Sequence, residues 1–321
     1  MKNKLIVSLS PHIHSQANVD KMMWNVVIAL IPTLAIAVWT FGTDAAWVIL
    51  LCAIGCMGTE WIIERFMLHR PCTLTNGSAL ITGLLLACNL PSILPWWMAL
   101  IGSIVAIGIG KMSFGGLGKN IWNPALVGRV FLLISFPAAM TTWPDIPSGV
   151  NAVSGASTHA TTGATLLSHL NSPEASDASY DLMSIATGHI NGSLGEVGTI
   201  AILIGLAYLL LTRVISWHIP VSILGSAALL SFLLGSNPLL DLMAGGLMLG
   251  AVFMATDYVT SPMTHKGQII YGVMIGFITI IIRRFGSYPE GMSFAILLMN
   301  SFTPLINHYM KPHRYGERSR K

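Results

Sequence analysis

The segment NAVSGASTHATTGATLLSHL, residues 151–170, divides the chain into two parts. It is rich in Ser, Thr, Gly and Ala and lies between two long blocks of almost unbroken hydrophobic sequence. Because such a composition buries too little apolar area to order itself, we expect the flanking blocks or a bound group to hold it. The sequence therefore indicates two hydrophobic halves around one polar connection.

The composition is that of an integral membrane protein. Of the 321 residues, 53% are hydrophobic and 9% are charged, whereas an average soluble domain is about 25% charged. The net charge is +4, but Lys and Arg occur in short clusters and do not form the continuous basic face that binds nucleic acid. The first residues lack the apolar core and cleavage site of a signal peptide, so we expect the N-terminus to be retained.

The hydrophobic blocks contain ten candidate spans, judged by the roughly 20 apolar residues that a transmembrane helix needs. They are residues 24–41, 46–63, 77–93, 97–110, 121–140, 197–212, 218–235, 239–255, 268–283 and 290–307. We predict an all-α polytopic membrane protein in three parts. These are an N-terminal half of five spans (1–140), a long polar loop (141–196), and a C-terminal half of five spans with a basic tail (197–321).

Basic residues in the connections predict the orientation of the chain. With a cytoplasmic N-terminus, the inside segments hold 14 of the 17 basic residues. The loop 141–196 contains five acidic residues and no Lys or Arg. We therefore expect the loop on the external, periplasmic face and both termini in the cytoplasm.

The two halves have similar interruptions. The third span ends in NLPSILP (residues 89–95) and the eighth in DYVTSP (residues 257–262), so both place Asn or Asp before Pro at a membrane edge. Because each half has an odd number of spans, duplicated halves would have opposite orientations. The sequence is compatible with two inverted five-helix repeats and equally with two unrelated halves.

Three charged residues near or within spans are candidates for function. Arg129 lies about eight residues into the fifth span, where a charge must face the protein interior. Its partner would be a structural carboxylate such as Glu60 or a bound cofactor. Glu60 is also close enough to the end of its span to reach the interface. Asp257 is compatible with helix capping or with an ion path.

Common soluble active sites are not indicated. Cys52 and Cys56 share one helical face, but a lone CxxxC lacks the paired ligands of an iron–sulfur cluster, and we interpret both as buried thiols. The ten histidines show no zinc-binding spacing, and there is no nucleophile elbow or carboxylate pair. We predict no metal site, no catalytic residue and no disulfide framework.

Thr162-Gly163-Ala164-Thr165, within the polar segment, presents a hydroxyl in a sterically open setting. A threonine oxygen can carry a phosphoryl-linked group if a separate enzyme delivers it. Short strings of Ser, Thr, Gly and Ala also occur by chance in flexible linkers. The residues by themselves therefore favour a linker.

The whole chain nevertheless resembles a known family through motifs that are weak singly and specific together. The motifs are LSPHIH (9–14), NGSA (76–79), GKMSFGGLG (110–118), NPALVGR (123–129), GE (195–196), WHIP (217–220), ATD (255–257) and SP (261–262). The family is that of the D subunits of Rnf ion-translocating ferredoxin:NAD oxidoreductases, which are related to the B subunits of the sodium-pumping NADH:quinone reductases.

The resemblance implies a covalent flavin. In the family, the last Thr of an [S/T]GAT motif carries FMN as a phosphodiester, attached by a flavin transferase that uses FAD. Carried onto this chain, the attachment site is Thr165. The loop departs from the family pattern in two ways: a near-copy of the motif ends in Ser157, and Thr165 lacks the proline that often follows. We prefer Thr165 because it completes the motif with threonine.

The resemblance also implies a function and partners. The chain would be one component of a translocase-type oxidoreductase in the cell inner membrane, inactive alone, passing electrons while Na+ or H+ moves. Its partners would be the A, B, C, E and G subunits, the flavin transferase and the bilayer. A second, non-covalent riboflavin is expected near Arg129 or Asn123. The alternatives are a flavin-free channel or permease built on inverted repeats, and a membrane scaffold whose loop is only a linker.

Overall fold

The computed structural model describes residues 18–143, 192–286 and 290–311. Within these ranges the regular structure is helical and no strand occurs, which confirms the predicted all-α class. The first half contains α1 (Val19–Phe41), α2 (Thr43–Ile62), α3 (Ser78–Cys88), α4 (Trp96–Gly108), α5 (Pro124–Ser135) and α6 (Pro137–Met140). The second half contains α7 (Thr199–Leu211), α8 (His218–Leu233), α9 (Pro238–Met243), α10 (Leu247–Leu249), α11 (His265–Phe285) and α12 (Met292–Tyr309).

Several helices in the described ranges match the predicted membrane spans. Four are long and apolar enough to cross a bilayer: Val19–Phe41, Thr43–Met67, Trp96–Phe114 and His265–Phe285. Four more are apolar but shorter: Ser78–Cys88, Pro124–Ser135, Thr199–Leu211 and His218–Leu233. The chain is thus a multi-pass membrane protein, while the count of ten spans stays a prediction.

The third and eighth predicted spans are interrupted helices. α3 ends at Cys88, and the prolines of the following NLPSILP segment prevent its continuation. The eighth span is divided between α9, α10 and a π-helical turn, Gly250–Met254. α3, α10 and the π-helical turn are buried along nearly their whole length, so they form the centre of the bundle.

Two helices that flank the centre start at an Asn-Pro pair. The Asn123 side chain accepts a hydrogen bond from the Ala125 amide at 3.1 Å, and Pro124 occupies the first helical position of α5. Asn237 and Pro238 begin α9 in the same way. An Asn cap followed by Pro fixes the start of a helix, because Pro lacks the N–H that would otherwise be unpaired there.

The loop preceding α7 inserts between the two interrupted segments. The Gly195 amide donates to the Cys88 carbonyl at 2.6 Å, and the Leu194 amide donates to the Leu90 carbonyl at 3.2 Å. A Cβ added to Gly195 would lie 2.7 Å from side-chain atoms of both Cys88 and Leu249. The described end of the long connection is therefore fixed in the core.

Exposed tryptophans lie near the ends of several apolar helices. Trp39, Trp47, Trp96 and Trp217 are all more than half exposed. Tryptophan concentrates where a bilayer meets water, because its ring is apolar and its N–H is polar. This placement agrees with a multi-pass membrane protein.

We expect Gly83→Ala to destabilise the protein through the contact between α3 and α2. Its Cβ would lie 2.7 Å from the Cys52 carbonyl oxygen and 2.8 Å from the Ala53 Cα, which are backbone atoms that cannot rotate away. Overpacking of this kind costs about 1–3 kcal/mol. Thermal unfolding of the detergent-purified protein measures the effect.

The matched control for this test is Gly58→Ala. Gly58 also lies inside a helix, but its added Cβ would meet nothing within 4 Å. This variant should melt at the wild-type temperature or above it, since Ala favours helix over Gly. Equal melting temperatures for the two variants would contradict the close packing of α2 on α3.

Candidate functional site

A buried lysine connects three elements at the start of α3. Lys111 follows the end of α4, is 2% exposed, and reaches Glu60 on α2. Its Nζ donates to the two Glu60 carboxylate oxygens at 2.8 and 2.7 Å and to the Ser78 Oγ at 2.7 Å. A buried ion pair offsets its desolvation only when its remaining hydrogen-bonding groups are satisfied. The Ser78 hydroxyl oxygen accepts the third hydrogen bond that the Lys111 ammonium group can donate.

The same network continues to a second carboxylate. Glu64, 5% exposed, accepts from the Thr73 amide at 2.9 Å and from the Thr73 hydroxyl at 2.5 Å. The Thr73 hydroxyl also lies 3.5 Å from a Glu60 oxygen. We call Glu60, Glu64, Thr73, Ser78 and Lys111 the Lys111 cluster. It fixes the connection between α2 and α3 to the end of α4.

A cavity of about 90 Å³ opens beside the Lys111 cluster. Its polar wall is contributed by Ser78, Lys111, Asn120, Asn123 and Asp257. Its apolar wall includes Met22, Met23, Leu85, Leu209 and Phe253. A cavity lined by both polar and apolar groups suits a small ligand that has both kinds of surface.

Asp257, on the polar wall, is held by its own turn. Its carboxylate accepts from the Val259 amide at 3.4 Å and from the Thr260 hydroxyl at 3.2 Å. Burial raises the pKa of the Asp257 carboxyl, and these two hydrogen bonds oppose the rise. The residue therefore both caps its turn and faces the cavity.

Arg129 forms the second charged group of the interior. It is 2% exposed, and its Nη1 donates to the Asn89 Oδ1 at 2.7 Å. Its Nη2 pairs with the carboxylate of Glu290, which precedes α12. Arg129 thus connects α5 with the end of the interrupted α3 and with the connection between α11 and α12.

Glu196 lies close enough to Arg129 for their charges to interact, but its Oε1 accepts no hydrogen bond from the Arg129 guanidinium. The residue is 5% exposed, and this oxygen has no hydrogen-bond partner among the described residues. A Cβ added to Gly246 would lie 3.8 Å from the Oε1 and 3.9 Å from the Arg129 Nη1. We call Asn89, Arg129, Glu196 and Glu290 the Arg129 cluster.

A third buried cation lies at the start of α10. Arg283 donates to the Asp241 carbonyl at 2.6 Å and to the Ala244 carbonyl at 2.8 Å. Its neighbour Arg284 is 3.4 Å from the Asp241 carboxylate. These contacts fix the connection between α9 and α10 to the end of α11.

The structure confirms part of the prediction made from the buried charges. Arg129 faces the interior and meets a carboxylate and an amide, as expected. The suggested partner Glu60 is wrong, because Glu60 pairs with Lys111. Glu60 is only 1% exposed, so it does not reach the interface either. Cys52 and Cys56 are buried free thiols, as interpreted.

Sequence reasoning missed Lys111, Glu196 and Glu290. Lys111 stands next to a glycine-rich connection, so counting charges assigns it to the surface. Glu196 and Glu290 each border a span, where a carboxylate is commonly solvated. The GE pair of residues 195–196 is visible in the sequence, but the tight packing of Gly195 that accompanies the burial of Glu196 is seen only in the structure.

The predicted flavin-bearing residues lie outside the described residues. Thr165 and the alternative Ser157 both belong to the range 144–191. Of the two residues predicted to line a second flavin, Asn123 borders the cavity, and Arg129 lies in the Arg129 cluster.

Comparison with known proteins gives matches along almost the whole chain. A family model described as the NQR2, RnfD, RnfE family matches residues 6–316. The D subunit of the Na(+)-translocating ferredoxin:NAD(+) oxidoreductase complex of Acetobacterium woodii is 45% identical over 97% of this chain and 95% of its own. The D subunit of the proton-translocating complex of Clostridium ljungdahlii is 43% identical over 99% and 98%. The D subunit of the ion-translocating oxidoreductase complex of Stutzerimonas stutzeri is 38% identical over 95% and 94%.

We expect Lys111→Met to destabilise the protein strongly, because it leaves the Glu60 carboxylate buried without its cation. Breaking a buried ion pair on one side costs about 3–5 kcal/mol. The double variant Glu60→Gln/Lys111→Met should recover part of this loss, since both charges are removed. Unfolding of both single variants and the double variant gives the coupling energy.

Lys119→Met is the control for the lysine substitution. Lys119 lies in the same connection but is exposed, so its loss should leave the unfolding temperature within error of wild type. The stabilising role of the Glu60–Lys111 pair would be refuted by either of two results. The first is a double variant whose loss of stability equals the sum of the two single losses, and the second is a Lys119→Met loss as large as that of Lys111→Met.

Proposed function

The chain belongs to the NQR2, RnfD, RnfE family, and we propose that it is the membrane-embedded D subunit of an Rnf-type ion-translocating ferredoxin:NAD+ oxidoreductase complex. One observation carries the proposal: proteins named as D subunits of such complexes match this chain over 97% and 99% of its length at 45% and 43% identity. Its partners would be the A, B, C, E and G subunits. The location would be the cell inner membrane.

The proposed role is to relay electrons in a complex that moves Na+ or H+. The proposal includes both Na+ and H+ as the transported ion, because one of the two relatives is named as Na(+)-translocating and the other as proton-translocating. Buried charges in a membrane protein commonly line an ion path or face a cofactor. The Lys111 and Arg129 clusters, together with Asp257 on the cavity wall, support a transport function.

The proposal includes FMN linked to Thr165 through a phosphodiester. The support is the motif TGAT at residues 162–165 and its position in the long connection. Bound FMN would supply one-electron transfer between carriers. The chain would supply a fixed base for the loop, because Gly195 is packed against Cys88 and Leu249. A flavin transferase would move FMN from FAD to the hydroxyl.

The proposal assigns the second, non-covalent flavin to the cavity beside Asn123. The polar wall offers amide and carboxylate groups to the polar edge of a riboflavin ring, and the apolar wall offers contacts to its faces. The volume of about 90 Å³ is below the roughly 300 Å³ at which ligand pockets begin. Met22 and Met23 would therefore have to move, which their flexible side chains permit.

The proposal extends to ten spans in two inverted repeats. In each half an interrupted helix ends near Asn89 or Asp257 and is followed by Pro. Each half also has a buried cation near the end of its next long helix, Lys111 in the first half and Arg283 in the second. Each cation donates a hydrogen bond at or near the start of a helix in the interrupted segment of its own half. With an odd number of spans in each half, both termini would be cytoplasmic and the loop 141–196 external.

We expect Thr165→Ala to abolish covalent flavin and Ser157→Ala to retain it. The reason is that only Thr165 completes the motif with threonine. The measurement is in-gel flavin fluorescence after denaturing electrophoresis of protein made together with its transferase, followed by mass mapping of the loop peptide.

The same experiment separates the proposal from a flavin-free channel or permease. A colourless wild-type chain, in cells where the transferase is active, would favour the channel. Undiminished fluorescence of Thr165→Ala with loss in Ser157→Ala would move the attachment to Ser157. Undiminished fluorescence in the double variant Ser157→Ala/Thr165→Ala would reject both sites.

A further inference from the structure

Two imidazole rings lie face to face where α8 and α11 begin. His218 is the first residue of α8, and His265 is the first residue of α11. Their ring centroids are 4.3 Å apart, and their planes differ by 15°. Trp217, which is more than half exposed, also stacks on His218 with the centroids 4.2 Å apart. We call Trp217, His218 and His265 the ring stack.

The ring stack accepts one proton more easily than two. His265 is exposed and can hold a positive charge in contact with water, whereas His218 is half-buried between two rings. A second proton, on His218, would face the first at a separation where like charges repel even when water screens part of the interaction. Both rings also stand at helix N-termini, where the helix dipole disfavours positive charge.

The buried nitrogen of His218 adds to this cost. Its Nδ1 has no hydrogen-bond partner among the described residues. A protonated imidazole carries N–H groups on both nitrogens, so protonated His218 would place a charged donor at Nδ1 without an acceptor. Burying a charged donor without an acceptor is unfavourable. Two protons on the ring stack therefore favour a conformation in which the rings are apart.

The ionisable groups on the elements that meet at the ring stack do not offset a second proton. Most are themselves basic, and the charge that acts on His218 is that of His265. The carboxylate of Asp257 is already engaged by Val259 and Thr260. The described groups are Arg213 before α8, Asp257 before α11, His265 and Lys266 on α11, and His308 in the last turn of α12.

Gln268 connects the ring stack to the cavity. Its Oε1 lies 3.3 Å from the His265 Nδ1 and accepts from the Ser216 hydroxyl at 2.8 Å. Its Nε2 donates to the Pro262 carbonyl at 3.2 Å. Pro262 belongs to the loop that begins at Asp257 on the cavity wall. A displacement of His265 therefore reaches that wall through one side chain and a short loop.

The contact between α8 and α11 is fixed farther along the two helices. A Cβ added to Gly276 would lie 2.6 Å from the Ile223 carbonyl oxygen, and one added to Gly272 would lie 3.1 Å from the Ile219 carbonyl oxygen. These are close backbone contacts. His265 lies about two turns before Gly272, so the first turns of α11 are the part that can move away from α8.

We propose that the ring stack is a pH-sensitive contact, which opens when His218 and His265 are both protonated and moves the loop that carries Asp257. Separated rings bind more protons than stacked rings, so acid favours the open form. The stack is fully stabilising well above about pH 6.5, where imidazoles are neutral, and this stabilisation is lost as the pH falls below that value. The proposal does not require bound flavin.

A distance measurement at several pH values tests the proposal. Nitroxide labels are placed on Val221→Cys in α8 and Ile269→Cys in the first turns of α11, both at exposed positions. The background carries Cys72→Ser, because Cys72 is exposed and the other three cysteines are buried. Pulsed electron paramagnetic resonance in detergent then measures the separation between about pH 8 and about pH 5. The open fraction should rise by up to about tenfold per pH unit below about pH 6.5 for one extra proton.

Variants of the two rings identify the titrating groups. His218→Phe keeps a planar ring in the stack but cannot take a proton, so its closed distance should persist to about pH 5. His265→Gln removes the repulsion from the other side and gives an independent test if His218→Phe folds poorly. His308→Gln is the matched control, because His308 contacts Tyr309 edge-on and not another histidine. This control should open as wild type does.

Thermal unfolding of the unlabelled proteins is followed over the same pH range. A wild-type distance that stays constant with pH would overturn the proposal, as would a change that both His218→Phe and His265→Gln retain. A loss of thermal stability in acid without a change in distance would also overturn it, since the protons would then act elsewhere in the chain.

Discussion

The structure depends on pairing the backbone at the ends of two interrupted helices in the middle of the bundle. Away from water, a free carbonyl or amide is costly, so other segments must supply partners. The partners are amides of the loop before α7 and the side chain of Asn123: Gly195 to Cys88 at 2.6 Å, Leu194 to Leu90 at 3.2 Å, and Asn123 to the Met254 carbonyl at 3.2 Å. The two halves are thereby joined through their interruptions.

The buried cations occupy the ends of the same interrupted helices. Arg129 lies at the C-terminal end of α3, where a positive charge is favoured by the helix dipole. Lys111 lies at the N-terminal end, where the dipole opposes it, and there a full carboxylate, Glu60, accompanies it at 2.7 Å. Arg283 binds carbonyls just before α10. Breaks in helices thus explain why this interior contains charge at all.

The sequence predicted the helical class, the long spans and the inward direction of Arg129, because these follow from composition and the cost of charge in lipid. It also located the end of α3 at Asn89, since Asn before Pro is a local signal, but it treated residues 239–255 as one span where the structure has α9, α10 and a π-helical turn. The sequence did not reveal which buried charges pair with each other. The partner of Arg129 is Glu290, 161 positions away, and nothing local in the sequence selects Glu290 over Glu60. The burial of Glu196 likewise arises from the packing of Gly195, which no span pattern encodes.

The pairing of Arg129 with Glu290 has a consequence for synthesis. The arginine leaves the ribosome 161 residues before its carboxylate, an interval of about 10–30 s at roughly 5–20 residues per second. During that time the first half resides in the bilayer with the guanidinium still lacking this carboxylate. A nascent chain that stops before its last hairpin therefore has Arg129 beside Asn89 and Glu196 but lacks the Glu290 carboxylate that pairs with it in the folded protein.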